Sequence, residues 1–235
     1  MTLSLAQRHQ RRALAAREAA KAAPSTTMAG ANIYELHLAQ LLQDKLRLKA
    51  IQGTQAKAQL KVELLPTYVP YVEGVLAAGN GAQDEVLTTI MVWRIDAADF
   101  PGALEIAAYV LKHNMLMPDR FERSTGCLIA EEVAEAALKA QKAGGSFDLD
   151  ILEDTEALTR DQDMPDQARA KLHLALGKAL ADLVTDDTAG GNLVALEQAK
   201  QHLARAIDLH TSCGGKKDLE RVERLLKKHA APPAS

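Results

Sequence analysis

The sequence predicts an all-α protein, with a basic N-terminal helical region followed by an irregular stack of helical hairpins. Three observations lead there. Apolar residues recur at three- and four-residue steps along most of the chain, the period of a helix face. Aromatic residues make up only 3% while alanine and leucine are plentiful, a balance that suits helix packing better than sheets. Breaks at Pro101, Pro118, Gly144-Gly145, Pro165, Gly190-Gly191 and Gly214-Gly215 cut the chain into helix-sized pieces, with no alternating stretch long enough for a sheet. At 235 residues, 47% hydrophobic and 25% charged, the chain can bury a sizeable core.

Residues 3–22 read as an Ala-rich helix with Arg8, Arg11 and Arg12 on one face and Arg17 and Lys21 roughly opposite. Its apolar stripe is thin, so it is marginal as an isolated helix. Pro24-Ser25-Thr26-Thr27 breaks the pattern, and Gly30 and Asn32 supply a turn and a cap. Residues 33–65 carry Tyr34, Leu38, Leu41, Leu48, Ile51, Ala58 and Leu65 at helical and near-heptad steps, which predicts a long helix or a bent pair with a seam for another helix. Lys45, Lys49, Lys57 and Lys61 lie off that seam. Pro66 and Pro70 are read as punctuating the start of a shorter helix that ends near Gly79. Further helices are predicted at about 82–96, 100–114, 127–143, 148–160, 166–184, 191–211 and 216–229. The openings after Ala98-Asp99 and at Asn192 share a small-residue start, as in tetratricopeptide-like hairpins, but lie too far apart for adjacent repeats. Trp93 and Tyr109 are expected to be buried between the two central helices.

The net charge of −3 conceals an asymmetry. Residues 1–65 hold ten Lys/Arg against four Asp/Glu, and the remainder eighteen against twenty-seven. A basic head on an acidic body points to a phosphate-bearing partner for the head and a different partner for the rest. Cys127 and Cys213 have no metal-ligand spacing and read as small hydrophobes of a reducing compartment. No stretch approaches the roughly 20 apolar residues of a membrane span, so the expected location is the cytosol, with no membrane partner.

The motifs of catalysis are missing from the sequence. Residues 74–81 have the glycine spacing of a phosphate loop, but Asn80 stands where lysine is needed and no apolar strand precedes it. Asp161, Asp163 and Asp166 mimic the start of a calcium loop, yet its sixth place is Asp166 and its twelfth Leu172. Asp148, Asp150, Glu153, Asp154 and Glu156 form the densest acidic cluster, read as first-turn and solvated carboxylates and, alternatively, as a metal site. The seven histidines are scattered and include no HExxH. No cofactor and no catalytic residue is expected.

Four blocks carry a family resemblance: GAQDEVLTTIMVWRIDAADFPGALEIAAYVLKHNMLMP from Gly81, ELLPTYVPYVEGVL from Glu63, MPDQARAKLHLALG from Met164 and GGKKDLERVERLLKK from Gly214. In this order and spacing they resemble the phage terminase small subunit of the GpM type, from temperate tailed phages. The resemblance implies a non-catalytic subunit that binds viral duplex DNA as a homo-oligomer, often a ring. It would regulate or load a large subunit carrying the ATPase and the nuclease, in the host cytoplasm. The alternatives are a helical-repeat adaptor that binds proteins only and a metal-dependent endonuclease subunit acting itself.

Four regions are expected: a basic arm and linker (1–31), a long helix or helix pair for oligomerisation (32–65), a helical body (66–214), and a C-terminal helix with a short tail (215–235). Candidate DNA contacts are Arg8, Arg11, Arg12, Arg17, Lys21, Lys45 and Lys49, because cations on a helix neutralise phosphates. Aromatics do not interleave with the basic residues of the head, which favours duplex over single strands. The usual short turn of a helix-turn-helix is also absent. Leu38, Leu41, Leu48 and Ile51 are expected to meet a second copy. Leu219, Val222, Leu225 and Leu226 are expected to offer a docking surface to the large subunit.

Overall fold

A computed structural model describes residues 3–23, 27–117, 123–184 and 193–230. The expected breaks at Pro24, Pro118 and Gly190-Gly191, the opening at Asn192 and the tail beyond 230 lie outside the described residues. Among those described, ten helices run in order: α1 Leu5–Lys21, α2 Asn32–Ala50, α3 Thr54–Ala78, α4 Glu85–Asp96, α5 Phe100–Lys112, α6 Thr125–Lys142, α7 Leu149–Thr159, α8 Asp166–Asp182, α9 Leu193–Leu209 and α10 Lys216–Ala230. Among the described residues an isolated bridge between Thr27 and Gln83 is the one β-type pairing. The protein is all-α.

The boundaries differ from expectation in one place. The chain breaks at Ile51-Gln52-Gly53, and α3 then runs without interruption to Ala78 through Pro66 and Pro70. A proline ring removes one backbone donor and crowds the carbonyl four residues back. Here the two prolines are four apart, on neighbouring positions of one edge. Val62 and Pro66, whose carbonyls lose their donors, are both exposed, so water can serve those groups. Leu64, Leu65, Tyr68, Tyr71, Val72 and Val75 bury the other side and hold the helix together. The helix start expected at the prolines is therefore corrected to Thr54.

The chain forms two compact units, residues 1–125 and 126–235. The expected divisions at 31, 65 and 214 follow composition and do not coincide with them; position 65 falls inside α3. In the first unit α2 and α3 make an antiparallel hairpin, fixed by Tyr68 Oη donating to Asp44 at 2.8 Å and by the His37 ring stacked 4.5 Å from Tyr71. Helix α4 opens on the Asp84 cap, whose carboxylate accepts from Leu87 N at 2.8 Å. It turns Val86, Leu87, Ile90, Met91 and Trp93 inward. Trp93 is buried edge-on to Tyr68, with ring centres 6.1 Å apart. Tyr109 is only half-buried, because its hydroxyl accepts the backbone N–H of Gly81 at 2.8 Å.

The second unit packs α8 closely on α9. A Cβ at Gly177 would lie 2.6 Å from Leu203 Cγ, so glycine is required for that approach. Leu174, Leu180, Leu196, Ala199, Leu203 and Val222 form its core, with Cys213 half-buried against it. Cys127 is buried, and neither cysteine is in a disulfide.

Candidate nucleic-acid interface

Helix α1 is built to start where it does. Ser4 Oγ accepts from Gln7 N at 3.3 Å, and Gln7 Oε1 accepts from Ser4 N at 2.9 Å, a reciprocal cap. Its buried side is only alanine, Ala15 and Ala19, so the helix can come close to a neighbour. It lies against α3 at Gly74, where a Cβ would stand 2.5 Å from Arg12 O and 2.6 Å from Ala15 Cβ. Asn80 Nδ2 donates to Ala20 O at 2.7 Å and Ala22 O at 3.0 Å, satisfying carbonyls at the end of α1. Glu18 accepts from Ile33 N at 2.8 Å, which ties α1 to the first turn of α2. The basic head is thus a docked helix, not a free arm.

Docking sorts its cations. Arg12 pairs with Glu73 at 3.6 Å. Arg11 Nη1 is buried and makes no hydrogen bond among the described residues, and its charge acts on buried His37. Arg8 is exposed at the mouth of a cleft lined by Gln40, Asp44, Arg47 and Glu63. Arg17 and Lys21 are exposed on the side away from Ala15 and Ala19. The face carrying Arg8, Arg11 and Arg12, expected to meet phosphate as a group, is turned toward α2 and α3. Of the lysines of α2 and α3, Lys45 is held by Glu85 at 2.7 Å and Lys61 by Asp96, while Lys49 is exposed. Arg17, Lys21 and Lys49 are therefore the best-placed of the candidate contacts.

Behind this surface lies a buried polar layer that sequence reasoning missed. Tyr71 Oη donates to Asp84 at 2.5 Å. His37 uses Nδ1 on Ile33 O at 2.8 Å, and its Nε2 is buried without a partner among the described residues. Burial pushes the Asp84 carboxyl up to about 6, partly opposed by the Tyr71 and backbone hydrogen bonds, and holds His37 below the ordinary imidazole range. Asp84 and Tyr71 are thirteen residues apart, with no periodicity linking them, so only the fold brings them together.

Two expected surfaces are corrected. Leu41 and Leu48 are buried within the first unit and Leu38 and Ile51 are half-buried, so this seam faces the protein's own core. The side of α2 that remains outward carries Leu36, Leu42 and Leu46, exposed by 52%, 53% and 68%. The periodicity failed to choose because both faces of α2 are apolar. On α10, Val222 is fully buried and Leu219, Leu225 and Leu226 are half-buried against the same core, so this face is turned mainly to the second unit's own interior.

Two of the five carboxylates in the acidic cluster have local partners, and Asp150, Glu153 and Asp154 are exposed. Asp148 caps α7 by accepting from Asp150 N at 3.0 Å. Glu156 binds Arg160 at 2.7 Å, and that hydrogen bond holds its carboxyl below the usual range. Among the described residues no three His, Cys, Asp or Glu side chains come together as a metal site. Two scattered histidines do meet: His173 and His202 face each other through Nδ1 at 2.9 Å, and burial followed by the neighbouring His202 lowers His173 to about 4. Among the described residues no helix is long and apolar enough to cross a membrane.

Comparison with known proteins supplies the context for these surfaces. Residues 38–167 match the family model described as phage small terminase subunit. The chain is 45% identical over 230 residues to a protein of Escherichia phage P2 named "Terminase, endonuclease subunit", covering 97% of this chain and 88% of that one. It is 29% identical over 84 residues to the "Probable terminase, endonuclease subunit" of Haemophilus phage HP1, covering 36% and 30% respectively. No solved structure matches. The family match over more than half the chain, and the near full-length relative, show that this chain belongs to the phage small terminase subunit family.

Proposed function

We propose that this chain is the DNA-engaging, non-catalytic subunit of a viral genome-packaging terminase. It binds viral duplex as a homo-oligomer in the host cytoplasm and regulates or loads a large subunit that carries the ATPase and the nuclease. The observation that carries the DNA assignment is the docked α1, which holds Arg17 and Lys21 outward on a fixed helix. Fixed cations lose little freedom on meeting phosphate and contribute a salt-dependent affinity. The oligomer is assigned to the outer face of α2, where Leu36, Leu42 and Leu46 form an exposed apolar stripe of the kind that marks interfaces. We assign nuclease chemistry to the large subunit because Asp148 and Glu156 of the acidic cluster are taken up by a cap and an ion pair, and Asp150, Glu153 and Asp154 are spread on an exposed surface.

The test is equilibrium binding of the purified full-length chain to duplex DNA across a salt series, with native mass measured in parallel. Salt-sensitive binding by a homo-oligomer is the expected result. A protein that leaves duplex unbound at low salt but captures the large subunit is the protein-only adaptor. A purified chain that nicks DNA with added Mg2+ is instead the nuclease itself.

A further inference from the structure

The solvent face of α10 holds the densest set of exposed cations among the described residues. At 3.6 residues per turn, Lys216, Lys217, Glu220, Arg221, Arg224, Lys227 and Lys228 share an arc of about 140°. All seven are exposed. Six are cations and one is a carboxylate. The helix's other acids point elsewhere: Asp218 is bound to Lys178 at 2.8 Å and Glu223 to Lys200 at 3.1 Å. Of the six cations, Arg221 reaches Asp182 at 3.3 Å, whereas Lys216, Lys217, Arg224 and Lys227 make no ion pair among the described residues. Folding thus draws the helix's neutralising charges inward and leaves its positive charge outside.

Helix stability does not account for this pattern. Cations in a last turn, such as Lys227, favour the helix dipole, but Lys216 and Lys217 stand in the first turn, where positive charge is unfavourable. An acidic protein surface fits less well than nucleic acid. Protein interfaces are enriched in aromatic, Met and Arg side chains and depleted of Lys, and this arc is mostly lysine with no apolar residue. Phosphate contacts require only cations. From Lys216 to Lys228 the helix advances about 18 Å, and duplex of that length carries about ten phosphate charges.

We propose that the outer face of α10 is a second duplex-DNA contact surface, on which Lys216, Lys217, Arg224 and Lys227 bind backbone phosphates without reading sequence. The proposal rests on the DNA-binding reading above and adds a contact in the second unit, separate from α1.

The experiment uses the full-length chain and a random-sequence duplex. In one variant Lys216→Gln, Lys217→Gln, Arg224→Gln and Lys227→Gln are combined. Each phosphate contact contributes about 0.9 to the slope of log affinity against log salt, so losing four should flatten the slope by roughly 3–4. Exchanging the same positions for the other cation (Lys→Arg and Arg224→Lys) should keep the wild-type slope. Glu220→Lys, which adds charge without removing any contact, should steepen it by up to about 1. Wild-type slopes in both the Gln variant and Glu220→Lys, each with unchanged circular dichroism, overturn this proposal and leave DNA binding by α1 standing. Failure of the wild-type chain to bind duplex at all overturns both readings.

Discussion

Helices α1 and α10 are both strongly basic, yet folding treats their charges in opposite ways. The buried side of α1 is Ala15 and Ala19 set on Gly74, so two backbones come close, Arg11 is drawn half-buried between the helices, Arg12 pairs with Glu73 at the surface and Arg8 stays exposed. The buried side of α10 is Val222 flanked by Leu219, Leu225 and Leu226. Those larger side chains fill the interface themselves, and the cations remain on the far side. A small-residue face therefore tends to recruit adjacent arginines into the fold, whereas a broad aliphatic face leaves them to solvent. Counting basic residues ranks the two helices together; the size of their inward residues separates them.

The largest expected effect comes from the aliphatic face. Val222→Asp should destabilise the second unit by about 3–5 kcal/mol, because an unpaired carboxylate would replace a fully buried side chain. Urea unfolding should show this as early loss of helix signal with the Trp93 fluorescence transition unmoved, since Trp93 and all four tyrosines lie in residues 1–125. A shared early transition would mean that the units do not unfold separately.

The small-residue face makes the matching prediction. Gly74→Ala places a Cβ 2.5 Å from the Arg12 carbonyl and should cost the first unit about 1–3 kcal/mol despite alanine's better helix propensity. Proteolysis of the N-terminal segment should accelerate in parallel. A neutral outcome would show that α1 is held by its caps and not by close backbone approach.

The two units should also answer pH differently. The Asp84 carboxyl, raised to about 6 by burial with Tyr71, Tyr34 and Glu85 as titratable neighbours, contributes stability that is full below pH about 4 and lost as pH rises through about 6. His173, lowered to about 4 among His202, Glu156, Arg169 and Arg205, contributes stability that is full above about 6.5 and lost as pH falls toward 4. Acidification from pH 7 to 5 should therefore raise the Asp84 contribution to the first unit by about 1 kcal/mol, opposed in the same unit by His37, whose lowered pKa loses stability as pH falls, while the second unit weakens. Trp93 fluorescence against total helicity resolves the two trends. Asp84→Asn should remove the stabilising rise in the first unit, leave the opposing effect of His37 in place, and leave the second unit unchanged.

The smallest effects concern surfaces. Arg17→Gln with Lys21→Gln should reduce the DNA salt slope by about 1–2, and replacing Arg12 should instead act mainly on stability through Glu73. Leu42→Asp with Leu46→Asp should lower the native mass without unfolding the chain. The same change at Leu41 and Leu48 should unfold the first unit, because those side chains are inside it.

Much of this fold was legible because helix punctuation is local. Asp84, Asp99 and Asp148 cap the helices that follow them, and the sequence placed α5 through α10 within about two residues. Pro66 and Pro70 were misread because their cost depends on what surrounds the helix: exposed carbonyls at Val62 and Pro66 lessen it, and the packing of Tyr68 and Tyr71 outweighs it. The candidate site was less legible. Arg8, Arg11 and Arg12 share a face with Arg17 and Lys21 opposite, which the sequence shows, but which face meets solvent depends on where Gly74 lies.

By itself the sequence determined the all-α class, the helix order, the charge asymmetry and, through four ordered blocks, the terminase small subunit family. These follow from local periodicity, caps and residue order, which need no knowledge of distant contacts. Only the tertiary structure decided which of two apolar faces of α2 is core, which arginines of α1 stay outside, and that α10 spends its leucines and acids inward. It also brought Asp84 to Tyr71 and His173 to His202. Each of these is a choice between faces that look alike in one dimension. They are settled by side-chain size and by partner charges tens of residues away.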